Sequence, residues 1–287
     1  MDCPGAVAGR SKGAAQRGVR PPVTHQHGRA PWILVIPALG ALAFLVTPVV
    51  AVLIRSPWGS LPDLLSSSEA VGALRLSVLT TTASTLLCIV FGVPLAWVLA
   101  RTQFRGHRVV RALVTLPLVL PPVVGGVALL LALGRNGLVG RPLDDLFGIT
   151  IPFTTAAVVL AQSFVALPFL VISVEGAFRA SDVRYDDAAA TLGATRWLTF
   201  RRVTLPIALP GIVAGAVLCW ARALGEFGAT VTFAGSFPGV TRTMPAQVYV
   251  DLQSNPDAAI ALSLVMIVFS VAVLALLRDR WVSGVSA

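Results

Sequence analysis

Six stretches of this chain are so apolar, and so long, that lipid rather than water is the solvent they imply. They run from Trp32 to Ile54, Leu76 to Ala100, Val110 to Leu133, Ile151 to Val174, Ile207 to Phe233 and Ala258 to Leu277. A helix needs about 20 residues to cross roughly 30 Å of hydrocarbon, where unpaired backbone groups are not tolerated. The sequence therefore predicts an all-α membrane protein with six transmembrane helices. The fifth stretch is overlong and interrupted by Gly225 and Gly228, so it is expected to end early and continue as a re-entrant or external segment.

Composition agrees: 56% of the 287 residues are hydrophobic and only 12% charged. The formal charge of +9 comes from 21 arginines and the single Lys12, set against 13 acids. In a soluble protein that excess would suggest nucleic-acid binding. Here the arginines fall between the apolar runs, as topology signals do, and no nucleic-acid partner is expected. Sixteen basic residues share the side of the amino terminus, whereas the other side holds only Arg55, Arg75, Arg135, Arg141 and Arg242. Basic side chains near span ends resist translocation, so both termini are expected to be cytoplasmic. Trp32, Trp58, Trp97 and Trp281 lie near span ends, where an amphipathic ring fits the headgroup layer.

Residues 1–30 are rich in Gly, Ala, Arg and Pro without apolar periodicity, and are expected to form a disordered basic cytoplasmic tail ahead of a transmembrane domain spanning 31–287. His25 and His27 have no third ligand near them, and Cys3, Cys88 and Cys219 have no metal-ligand spacing. Neither a metal site nor a disulfide is inferred. Prolines are frequent inside the spans: Pro94, Pro117, Pro121, Pro122 and Pro168. Each removes a helix hydrogen bond and favours a kink.

The most informative segment is the cytoplasmic loop 180–206, which reads as helix, break, helix. Tyr185, Ala188, Ala189 and Leu192 recur at i, i+3, i+4 and i+7 and form one apolar stripe, with Asp186 and Asp187 beside it. Asp182 can cap the start and Gly193 can take the left-handed conformation that closes it. Such a short amphipathic helix suits a groove on another protein, or a seat on its own bundle; the pattern alone leaves both open.

The run Asp187-Ala188-Ala189, then Gly193, then Val203-Thr204-Leu205-Pro206 resembles the EAA loop of ABC importer permeases: Glu-Ala-Ala, three residues, Gly, nine residues, a β-branched residue, any residue, Leu-Pro. Asp187 stands where that family usually has Glu. The resemblance implies the type I ABC importer permease fold, with this loop gripped by a separate ATPase subunit. The chain has no P-loop of its own, because Lys12 lies in Arg10-Ser11-Lys12-Gly13, which does not match Gly-x-x-x-x-Gly-Lys-Ser/Thr. No catalytic site and no cofactor are expected, ATP being bound by the partner.

The fifth span carries two opposite charges, Arg222 and Glu226, inside an apolar run. Each would cost about 2.5 to 3.5 kcal/mol near a helix centre, so they are expected to face the interior. Four residues apart, they can pair with each other. Whether they lock helices or, with Gly225 and Gly228, line a gate stays open at this level. The stretch Gly225-Glu226-Phe227-Gly228-Ala229-Thr230, the later Pro238 to Pro245, and Leu116 to Gly125 are similar to the molybdate branch of these permeases. Sulfate and thiosulfate permeases share a close Gly-Glu-aromatic-Gly motif, which keeps them, and tungstate, as alternatives. The resemblance implies a homodimer in the cell membrane, two ATPases beneath it and an oxyanion-binding protein outside. An intramembrane enzyme would need a nucleophile and base at membrane depth, and no histidine lies in any span. An ATP-independent secondary transporter is the remaining rival.

Overall fold

The computed structural model describes residues 32–182 and 184–283, all-helical with no strand among them. The expected tail, with His25 and His27, lies outside the described residues. The chain divides at Thr47 into two compact parts. Helix α1, Trp32–Arg55, begins in the first and is the 24-residue apolar helix the sequence predicts.

In the second part, α2 (Leu61–Leu65) is a short turn and α3 (Ser68–Arg101) the longest helix, capped by Ser67, whose hydroxyl accepts the Ala70 amide. The third apolar stretch is not one helix. It is divided into α4 (His107–Val119) and α5 (Pro122–Leu133). Pro121 and Pro122 donate no amide hydrogen, and a residue preceding proline is driven out of the helical region, so Leu120 is extended at ψ 132°. Among the described residues five helices are thus long and apolar enough to cross a membrane singly, and the remaining predicted stretch is jointed.

Helix α6 (Gly140–Phe147) caps the far end of α5. There Arg135 Nε donates to Asp144 at 2.9 Å, and this bond, with a second from Thr150, holds the Asp144 carboxyl below its usual range. Helix α7 (Thr155–Ala180) follows, then the short α8 (Arg184–Thr191) and α9 (Arg196–Thr199). A π-helical turn, Phe200–Thr204, leads into α10 (Leu205–Leu224); α11 (Gly228–Ala234), α12 (Met244–Ser254) and α13 (Pro256–Ser283) are the last helices among the described residues. The overlong fifth stretch does end early, at Gly225.

The core is the seam between α3, α7 and α10. Helices α3 and α7 run parallel, since Ser84 meets Ser163 and Arg101 meets Ser181 at nearly constant separation along the chain. Helix α10 runs back along the groove they form, so Gly211 abuts Ala177 and Gly215 abuts Ser173. The inward face of α3 is mostly small or hydroxylic (Ala73, Ser77, Thr80, Thr81, Ser84, Thr85, Cys88, Gly92, Ala96), with only Leu76, Val93 and Leu99 as larger members, whereas Leu79, Leu86, Val90 and Phe91 are exposed. That inverts the rule for water. Lipid tails give no reason to hide leucine, so close backbone packing and interhelical hydrogen bonds select what goes inside.

Candidate functional site

The loop between α7 and α10 folds as its sequence dictates. Asp182 Oδ1 accepts the Arg184 amide at 2.9 Å and opens α8. Gly193 closes it at φ +79°, with the Ala194 amide donating to the Ala189 carbonyl and the Gly193 amide to that of Ala190. This pair of bonds, six-to-one and five-to-two, satisfies the last carbonyls of the helix and requires the left-handed residue that glycine supplies.

The orientation of α8 separates the two readings of its apolar stripe. Tyr185 is 58% exposed and Leu192 88%, Ala188 is exposed beside them and only Ala189 is half-buried, so most of the stripe does not rest on the bundle. The bundle side is held instead by Asp186. Its Oδ2 lies 3.5 Å from Arg101 Nη2 at the end of α3, and its Oδ1 accepts the Thr204 hydroxyl at 2.9 Å. Arg101 also donates to the Ser181 carbonyl at the end of α7. Asp187 is exposed and lines, with Ala190, Ala194 and Arg196, a cavity of about 500 Å3 between α8 and the bundle. Trp197, 68% exposed, stacks on Phe200, which meets Trp97 edge-on at 5.6 Å. Val203 sits in the π-helical turn, and Leu205 and Pro206 start α10.

The two charges of the fifth stretch do pair. Arg222 Nη2 lies 2.7 Å from Glu226 Oε2, and the carboxylate is 1% exposed. The other oxygen, Oε1, accepts the Ala229 amide at 2.9 Å and so caps α11. Gly225 ends α10 with open space around it, whereas Gly228 has no room for a side chain: a Cβ there would meet Pro122 Cβ at 2.9 Å. Gly126 is tighter still, since a Cβ would lie 2.8 Å from the Ala229 carbonyl oxygen. Gly228 and Gly126 thus let the two broken stretches meet, α11 packing directly on α5.

A second buried acid, Glu175 of α7, escaped the sequence reading because it lies one residue beyond the expected end of its span. It pairs with Arg111 of α4 and, four residues on, with Arg179 Nη2 at 2.9 Å. Its only local signal is the Glu-x-x-x-Arg spacing; Arg111 is 64 residues away. Among the described residues no three His, Cys, Asp or Glu side chains come together as a metal site.

Residues 92–283 match the family model described as the binding-protein-dependent transport system inner membrane component. The chain is 54% identical over 237 residues to the molybdenum transport system permease protein ModB of Mycobacterium tuberculosis, covering 83% of this chain and 89% of that one. Its Escherichia coli namesake is 42% identical over 214 residues, 75% of this chain and 93% of the other. Among solved structures, a bacterial ABC transporter that imports alginate superposes with a TM-score of 0.67 over 87% of this chain and 92% of its own, at 17% identity. The MetNI methionine ABC transporter gives 0.56 over 74% and 96%, at 19% identity. At those identities the fold is what is shared, and it is that of ABC importer permeases. The jointed third and fifth stretches, the capped helix before α10 and the match over two thirds of the chain have one reading: this protein belongs to the binding-protein-dependent transport system inner membrane components, multi-pass proteins of the cell membrane.

Proposed function

We propose that this chain is the permease subunit of an ABC importer that admits molybdate to the cytoplasm, driven by a separate ATPase. The observation that carries the substrate is the likeness, over three quarters of the chain or more, to proteins named as molybdenum transport permeases at 42 and 54% identity. The coupling role of α8 is supported by its exposed stripe, which needs a partner surface, and by the tether through Asp186, which gives a push on α8 a path into α3 and α7. In this reading Asp187, Ala188, Ala189 and Gly193 present the helix to the ATPase, and Val203, Leu205 and Pro206 join it to α10.

Two copies of the chain enclose the path, and an external oxyanion-binding protein delivers the anion. ATP is bound by the partner, and this chain performs no chemistry. Nucleotide-driven closure of the ATPases biases a bundle with two arrangements. Arg222 and Glu226, with Gly225 and Gly228, hold the joint between α10 and α11 beside that path.

The test is uptake of labelled molybdate into proteoliposomes. Vesicles holding the chain, its ATPase and the binding protein should take it up only with ATP, and with tungstate a stronger competitor than sulfate. Uptake by vesicles holding the chain alone would refute an ATP-driven mechanism; preferential competition by sulfate would move the substrate to the sulfur oxyanions.

A further inference from the structure

The end of the bundle that carries α8 also holds a cavity of about 700 Å3, formed by the last turn of α3, the bend at 102–106, the start of α4 and Arg179 of α7. Arg101, Arg108, Arg179 and His107 line it, and no carboxylate does. The positive charge is only partly neutralised. Arg179 shares Glu175 with Arg111, and Arg101 lies 3.5 Å from Asp186, while Arg108 makes no ion pair among the described residues. Four guanidinium groups thus meet two acids. Arg101 also keeps a buried Nε–H that has no acceptor.

Two further features narrow the ligand. Helix α4 begins at this cavity with no acid in its first turn and no side-chain cap, so its end adds positive potential to that of the arginines. Phe104 and Val109, both exposed and apolar, line the same opening. A basic recess with an apolar rim, at the ends of two membrane-spanning helices, matches a charged headgroup continuous with acyl chains.

We propose that this cavity binds a tetrahedral oxyanion group, supplied by the phosphodiester of an anionic phospholipid. This goes beyond the transport reading and does not depend on which anion crosses the membrane. The chain, purified with its ATPase in neutral detergent, would be titrated with phosphatidylglycerol, phosphatidylcholine, inorganic phosphate and molybdate, and retention read by native mass spectrometry. Phosphatidylglycerol should be held in preference to phosphatidylcholine, about tenfold more weakly by Arg108→Glu and nearly normally by Arg108→Lys. Saturable binding of phosphate or molybdate, lost in Arg108→Glu and without lipid preference, would keep the anion site but overturn the lipid as its source. Failure of all four probes, or phosphatidylglycerol held equally by Arg108→Glu, would overturn the site itself. Arg108 is exposed on the first turn of α4, so its substitution leaves the core untouched.

Discussion

Glu226 Oε2, in the break between α10 and α11, lies 2.7 Å from Arg222 Nη2 in the last turn of α10, while the same carboxylate caps α11 through the Ala229 amide. One side chain therefore closes a broken helix electrostatically at one end and by a backbone hydrogen bond at the other.

Arg222→Leu leaves that carboxylate buried without its counter-charge, a loss of about 3 kcal/mol or more. Yield and apparent Tm in detergent should both fall. Glu226→Gln keeps an acceptor for Ala229 and should be milder. Unchanged Tm in Arg222→Leu would show that the pair contributes nothing to stability.

Gly193 faces open space where a Cβ would stand, so its requirement is purely conformational, from φ +79°. Gly193→Val should cost about 2 kcal/mol locally, because β-branching disfavours the left-handed region. The chain should still insert in the membrane, while ATP hydrolysis by the assembled complex no longer drives uptake. Gly193→Asn, which tolerates that region, should retain most transport.

The crossing of α5 and α11 makes the opposite demand, for space. Gly126→Ala sets a methyl group against the Ala229 backbone and should cost about 1–3 kcal/mol, forcing the two segments apart. Gly225→Ala has room and should be nearly silent. Thermal unfolding of both variants, compared side by side, checks the difference.

Asp186 and Asp187 are neighbours with separate duties. Asp186→Asn loses the charge attraction of Arg101, about 1 kcal/mol, and should raise amide exchange across 184–193 in the isolated permease. Asp187→Ala should leave that exchange unaltered but reduce the amount of ATPase that copurifies. If the two variants behave alike, the assignment of a paired and an unpaired carboxylate to separate duties is wrong.

That division of labour marks where sequence stops informing. Span lengths, the capped ends of α8 and the pairing of Arg222 with Glu226 are local, and the residues announce them. Which of two adjacent aspartates bonds to the bundle depends on where Arg101, 85 positions away, meets α8. The pairing of Glu175 with Arg111 and the intimacy of Gly126 with α11 likewise arise only once distant segments meet. The double proline at 121–122 did announce a distortion, but a kinked helix and a true joint look the same until Leu120 is seen extended.

The parallel seam of α3 and α7 carries Ala96 and Ala166, fully enclosed, and Gly92 set against Leu170. Surfaces in such close register have no slack to shear, so these two helices travel as a single strut. Arg101 ties the ends of both helices to α8, whereas at the extended Leu120 and at Gly225 the helical hydrogen-bond ladder is interrupted, so those two breaks are where the bundle offers least resistance to bending.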